Sequence, residues 1–253
     1  MTDTVSQANE ITNPFDSWKS IVISLYMTLV GYGVLVGIPV ISTAWVTLLG
    51  FSEIEVGRVA GADLGGLSLG AVVTAIFIAK TNRRVLALIG MFFAVTANAM
   101  CITVVDYDQV LWLRLLSGFG SGIFTAVAVS SLGASSKPAM AYNAMLFAFA
   151  FSQALEMHFL PLLSMAGVYM VFIVCFLLTL PFLGWIPSYA NIAQNNLTEL
   201  SWEEDGKAEA LKNIPPFVPW LCLAAMVVTY TNIGAYWTYI CLLYTSDAAD
   251  ERR

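Results

Sequence analysis

Seven apolar runs divide this chain, at about 20–45, 56–79, 85–105, 110–132, 140–165, 168–187 and 216–244. A membrane-spanning helix needs roughly 20 apolar residues, because the hydrocarbon core is about 30 Å thick and each residue rises about 1.5 Å. Each run meets that length. The runs are apolar on every face, unlike the alternating ten-residue strands of a membrane barrel, so the pattern predicts an all-α membrane protein.

The breaks between runs carry helix-end chemistry. Ser52 followed by Glu55 is a capping box opening the second span. Asp106 and Asp108 mark the turn after the third span, Ser135 to Pro138 separate the fourth from the fifth, and Gly167 is expected to form the short turn between the fifth and sixth. One connection is long and polar. These breaks predict a polar tail over 1–17, a six-helix bundle over 18–187, a linker over 188–215 and a seventh helix over 216–244.

Composition sharpens this picture. The chain of 253 residues is 58% hydrophobic and 11% charged, against about 25% charged in soluble domains. The net charge of -6 reflects acids in loops and tails, with Glu199, Glu203, Glu204, Asp205 and Glu209 in one cluster. No basic stripe exists to neutralise phosphates, which argues against nucleic-acid binding. The four cysteines lie scattered in apolar runs without metal-ligand spacing, so neither a metal site nor a disulfide framework is expected. Lys19, Lys80, Arg83, Arg84, Lys137, Lys207 and Lys212 fall in loops on one side, and Arg58 alone flanks a span on the other. That asymmetry predicts a cytoplasmic N-terminus. The first 17 residues are polar and acidic, unlike a cleavable signal peptide. The stretch Cys241–Glu251 reads CLLYTSDAADE and resembles a translated sequencing adapter, so native sequence is expected to stop near Ile240; the alternative is a short native C-terminus on a seven-helix protein.

Several residues could carry chemistry. The fourth span contains Arg114, Gly118, Gly120 and Gly122, an R-x-x-x-G-x-G-x-G pattern. Glycines on a membrane helix let a neighbouring backbone approach, whereas an Arg there must be paired, face a wet cavity or snorkel to the interface. Asp63 lies in the second span, where Gly57, Gly61 and Gly65 at i, i+4 spacing predict a packing face. Gln153, Glu156 and His158 lie toward the far end of the fifth span. On the predicted topology Asp63, Arg114, Glu156 and His158 occupy the outer half of the membrane and could share a site. A buried carboxylate near a cation can exchange a proton as a cavity alternates between wet and closed. Tyr32, beside Gly31, Gly33 and Gly37, and Asn232 lie mid-span and are candidates to line a cavity.

The Arg114–Gly122 pattern resembles the major facilitator superfamily of secondary transporters, whose fourth helix carries it. The family's long cytoplasmic loop after helix six also has a counterpart here. Its signature loop reads roughly G-x-x-x-D-R-x-G-R-R; the equivalent stretch keeps Lys80, Arg83 and Arg84 but has Ala75, Ala79 and Asn82 in place of Gly, Asp and Gly. The resemblance covers residues 18 to 240. It implies a bundle of two inverted three-helix repeats plus the start of a second half. It further implies alternating-access movement of a small solute, with proton coupling as one mode, a bacterial inner membrane, and a gating role for Lys80, Arg83 and Arg84. A lone half is expected to be inactive. Drug-exporting members carry G-x-x-x-G-P in the fifth helix; Leu160, Pro161 and Leu162 lack those glycines, which tilts the reading toward uptake.

Two other classes compete. A seven-helix receptor is one, although no Lys follows Lys212 to hold a retinal. An intramembrane enzyme is the other, but the chain has one histidine and no G-x-S-x-G or H-E-x-x-H. No cofactor is expected, and no ATP-binding G-x-x-x-x-G-K loop occurs.

Overall fold

The structure, a computed structural model, describes residues 13–188 and, beyond them, positions 217, 218, 221, 224, 225 and 228. The described residues contain no strand. Their helices are α1 (Trp18–Gly31), α2 (Gly33–Leu49), α3 (Glu53–Phe77), α4 (Arg83–Cys101), α5 (Tyr107–Gly133), α6 (Pro138–Phe159) and α7 (Met165–Leu177). Short 3-10 turns at Pro14–Asp16, Leu160–Leu162 and Leu180–Trp185 extend α1, α6 and α7. Six segments are long and apolar enough to cross a membrane: Trp18–Leu49, Glu53–Phe77, Arg83–Cys101, Tyr107–Gly133, Pro138–Leu162 and Met165–Trp185. The polar 1–12 and 189–215 segments, Asn232 and the 241–253 tail lie outside the described residues. Of the seventh predicted span, Val218, Leu221, Ala224, Ala225 and Val228 are helical.

Local chemistry accounts for the boundaries. Ser52 Oγ accepts from the Glu55 amide and Glu55 Oε2 accepts from the Ser52 amide, the reciprocal pair that satisfies free N–H groups at the start of α3. Asp106 caps α5 through Gln109 N, and Asn82 caps α4 through Arg84 N. Gly50, at φ 75°, closes α2 in the left-handed conformation that a side chain disfavours. The α6–α7 turn differs from expectation. Gly167 is inside α7, and Ser164 makes the break, its Oγ accepting from the Gly167 amide at 3.2 Å. A hydroxyl that caps three residues ahead fixes the boundary better than a glycine already in helical conformation. Ser164→Ala is expected to destabilise the fold by about 1 kcal/mol, measured by unfolding in mixed micelles.

The first span is not one helix. Tyr32, at φ -92° and ψ 2°, separates α1 from α2, and Pro39 within α2 supplies no amide to bond back along the helix. The span is thus articulated near its middle.

α5 is the axis of the bundle. It packs against α3, α4 and α1 and buries Arg114, Gly118, Gly120 and Gly122. A Cβ built on Gly118 would fall on the Asp63 carbonyl oxygen, and one on Gly122 on the Leu67 carbonyl oxygen. From the other side, Gly66 and Gly70 of α3 abut the Leu115 and Phe119 carbonyls of α5. Gly120 plays the same part toward α4, against Gly90 and Ala94. The contact is backbone on backbone, the association small residues permit in lipid.

This corrects the expected α3 face. Gly61 and Gly65 are exposed with open space beside them, and Gly57 is only half-buried. The packing face instead runs through Asp63, Gly66, Gly70 and Thr74. α6 is peripheral: Ala141 is its one buried residue among those described. Two apolar clusters fill the interior, one with Met27, Leu86, Phe124 and Phe176, the other with Ile38, Trp45, Val110, Tyr169 and Phe172.

Candidate functional site

Polar side chains inside the bundle form two centres. The first is built around Arg114, which is 1% exposed. Its Nη2 lies 2.8 Å from Asp63 Oδ2 of α3, and its Nη1 donates to Asn98 Oδ1 of α4 at 2.8 Å. Asn98 passes the network on, donating to Ser117 Oγ at 2.9 Å and to the Ala94 carbonyl at 2.7 Å. The Arg114 guanidinium carbon lies 5.8 Å from the centre of the Tyr169 ring on α7. The Tyr169 hydroxyl in turn accepts from Trp45 Nε1 of α2 at 3.1 Å. Arg114 therefore does not snorkel to the interface; side chains of α3, α4 and α7 meet it, and α2 joins through Trp45 and Tyr169. The Arg–Asp pair is compensated by charge, and Asn98 supplies a second, neutral acceptor.

The second centre lies at the break in the first span. Besides Tyr142 and the exposed Asn143 and His158, the polar residues of α6 are Ser152, Gln153 and Glu156, which form one half-buried stripe. Ser152 Oγ donates to Glu156 Oε1 at 3.0 Å. Glu156 Oε2 is buried and has no hydrogen-bond partner among the described residues. It rests against α2, where a Cβ at Gly37 would stand 2.8 Å from Oε2 and one at Gly33 3.8 Å from Oε1. Glycine at position 37 is what leaves room for the carboxylate, whereas at Gly33 the tight neighbour is the Phe172 ring. Tyr32, at the break itself, meets Phe149 of α6 edge-on at 5.6 Å.

The two centres are neighbours along α7. Tyr169 faces Arg114, and Phe172, three residues on, borders Gly33; that spacing is about one helical turn.

The structure thus brings Asp63 and Arg114 together, and places Glu156 with Ser152 and Tyr32 beside them. His158 does not join. It is exposed on α6 and its ring meets Phe159 edge-on at 5.0 Å. A four-residue site of Asp63, Arg114, Glu156 and His158 is therefore not formed. Helix geometry explains this, because His158 follows Glu156 by two positions and so points away from it. Asn98 was the participant that motif spacing missed, although a lone amide in an apolar span is itself a signal of an internal hydrogen bond.

The basic loop after α3 has other partners. Lys80 is exposed. Arg83 is buried, donates to Ser131 Oγ at 3.0 Å, and stacks on Phe15 at 4.6 Å. Arg84 donates to the Gly184 and Ile186 carbonyls, each at 2.7 Å. Both arginines bind hydroxyl or carbonyl oxygens at the ends of α5 and α7 instead of carboxylates. The N-terminal turn closes over the same end: Asn13 Nδ2 donates to the Ala134 carbonyl at 2.8 Å, and Asp16 accepts from the Ser136 amide and hydroxyl.

Among the described residues no group of histidine, cysteine, aspartate and glutamate side chains is arranged to hold a metal ion. Comparison with protein-family models, with curated proteins and with solved structures finds no match. What stands, then, is a six-span, all-helical membrane bundle with two internal polar centres.

Proposed function

We propose that the chain supplies the six-helix amino-terminal half of a major facilitator-type secondary transporter, moving a small solute by alternating access with proton coupling. The observation that carries this reading is Glu156: a carboxylate oxygen without a hydrogen-bond partner among the described residues, enclosed between a peripheral helix and an articulated one. A charge in hydrocarbon is expensive, and one that serves only packing is normally satisfied. Asp63 and Arg114 neutralise each other's charge, although Arg114 Nε keeps no hydrogen-bond partner among the described residues, and act as a fixed clamp on α3, α4 and α5. Among the described residues Glu156 has only Ser152, so it is the group free to exchange a proton when α6 parts from α2.

The break at Tyr32 suits that motion, because a helix interrupted mid-span bends there at little cost. Lys19, Lys80, Arg83, Arg84 and Lys137 gather at one end of the bundle, which by the positive-inside rule is the cytoplasmic end of a bacterial inner membrane. The R-x-x-x-G-x-G-x-G pattern of α5 supports the family assignment.

The test uses the complete reading frame in proteoliposomes, with a panel of sugars, amino acids and organic acids and an internal pH dye. Glu156→Gln is expected to lower solute-driven proton movement at least about tenfold while leaving membrane abundance near that of the parent. Proton movement unchanged in Glu156→Gln would remove Glu156 from coupling, and no solute-driven flux from any panel member would count against transport itself.

A further inference from the structure

An aromatic and basic cluster at the Lys19 end of the bundle plays no part in either polar centre. Trp18 opens α1, is 64% exposed, and meets Trp185 edge-on at 5.5 Å. Phe182 meets the same Trp185 ring at 4.9 Å. Lys19 Nζ lies 5.9 Å from the Trp18 ring and 5.7 Å from the Trp185 ring. Arg84 approaches from α4: its bonds to the Gly184 and Ile186 carbonyls hold the guanidinium across the backbone on either side of Trp185. One cation thus faces the Trp185 ring, and a second, from another helix, binds the backbone on either side of that residue. Those carbonyl bonds use Nε and Nη2 of Arg84, and Nη1 is the remaining arm of the fork.

Neither cation is neutralised within the described residues, where the one ion pair is Asp63–Arg114. Asp16, the nearest acid in the chain to Lys19, is engaged by the Ser136 amide and hydroxyl. Apolar surface continues from the cluster along the lipid-facing side, with Val22 one turn after Trp18 and Leu178 before Phe182, both exposed. Tryptophan and lysine at a helix end mark the headgroup level of a bilayer. A paired Lys and Arg at that level, without a protein carboxylate, attract the phosphate of a lipid.

We propose that this cluster binds the headgroup of an anionic phospholipid, with its phosphate between Lys19 and Arg84 and its acyl chains along Trp18, Val22 and Phe182. A zwitterionic lipid brings its own ammonium against the same two cations and binds less well. The inference stands on the membrane-spanning bundle alone and is independent of transport.

The test is native mass spectrometry of the full chain released from micelles containing equal phosphatidylglycerol and phosphatidylcholine. The parent chain is expected to retain phosphatidylglycerol over phosphatidylcholine by at least about fivefold, and Lys19→Gln to lower that ratio about fivefold, the effect of one interfacial cation. Among the described residues Lys19 makes no ion pair and its ammonium faces two rings, so Lys19→Gln keeps the test decisive even where Arg84→Gln, which also loses two carbonyl bonds, disturbs folding. Lys80→Gln removes an exposed charge at the same end and is expected to leave the ratio unchanged, and Lys19→Arg to preserve it. Equal retention of the two lipids by the parent chain, or an equal fall in Lys80→Gln, would overturn the assignment. Displacement of the retained lipid by millimolar glycerol phosphate would also overturn it, since the site would then recognise a soluble phosphate.

Discussion

Gly122→Val is expected to remove most of the folded protein from the membrane, whereas Gly65→Val, on the neighbouring helix, is expected to leave it near the parent amount. The contrast comes from what each added side chain would meet. A Cβ at Gly122 coincides with the Leu67 carbonyl of α3, and a backbone atom cannot rotate away as a flexible side chain can. Relief would require α3 and α5 to separate along a seam that Gly66, Gly70 and Gly118 have drawn tight. Ordinary overpacking costs about 1–3 kcal/mol; a clash with a carbonyl on the bundle axis belongs at or above the top of that range. Gly65 has nothing within 4 Å, so its substitution should stay within about 0.5 kcal/mol. Folded, monodisperse protein recovered after mild-detergent extraction measures both. Equal recovery of Gly122→Val and Gly65→Val would mean that the α3–α5 seam is not the structural axis.

The same pair of positions shows how much was legible in the sequence. Span lengths and the Ser52–Glu55 capping box depend on local composition and spacing, and the structure reproduces the capping box and six of the seven expected spans, the seventh lying mostly outside the described residues. The α3 packing face depends on which side of a helix turns inward. Because α3 carries Gly57, Gly61, Gly65, Gly66 and Gly70, i, i+4 spacing alone supports more than one face. Asp63 held the deciding information. A carboxylate inside a membrane must turn toward the protein, and Gly66 and Gly70, three and seven residues on, turn with it. Gly61 and Gly65 then face outward. Glu156 was legible as an intramembrane charge, but its setting was not, since no spacing rule relates residue 156 to Gly33 and Gly37. That contact is made by the crossing of α6 over α2. For the same reason Asn98 stayed hidden, its partners lying on α5, and His158 was grouped with residues it does not meet.

Asp63→Ala is expected to cost about 3–5 kcal/mol, and Arg114→Ala a comparable amount, because each leaves the other charge enclosed without its counterion. The geometry makes the two losses unequal in a testable way. Without Asp63, Arg114 keeps its 2.8 Å bond to Asn98 Oδ1, a neutral acceptor that softens the loss. Without Arg114, Asp63 loses its one ion-pair partner among the described residues and keeps no second hydrogen-bond donor among them, as Arg114 Nη2 is the group that meets its carboxylate. Arg114→Ala should therefore be the more harmful of the two. Asn98→Ala in the Asp63→Ala background should then cost more than Asn98→Ala alone, since it removes the last acceptor from Arg114. Combining Asp63→Ala with Arg114→Ala removes both charges, leaves only a cavity, and should recover part of the summed loss. Urea or dodecyl sulfate unfolding of the five variants in bicelles yields these differences directly. Strict additivity of Asp63→Ala and Arg114→Ala would show that the pair is not coupled, and the clamp that frees Glu156 for a separate role would have to be sought elsewhere in the bundle.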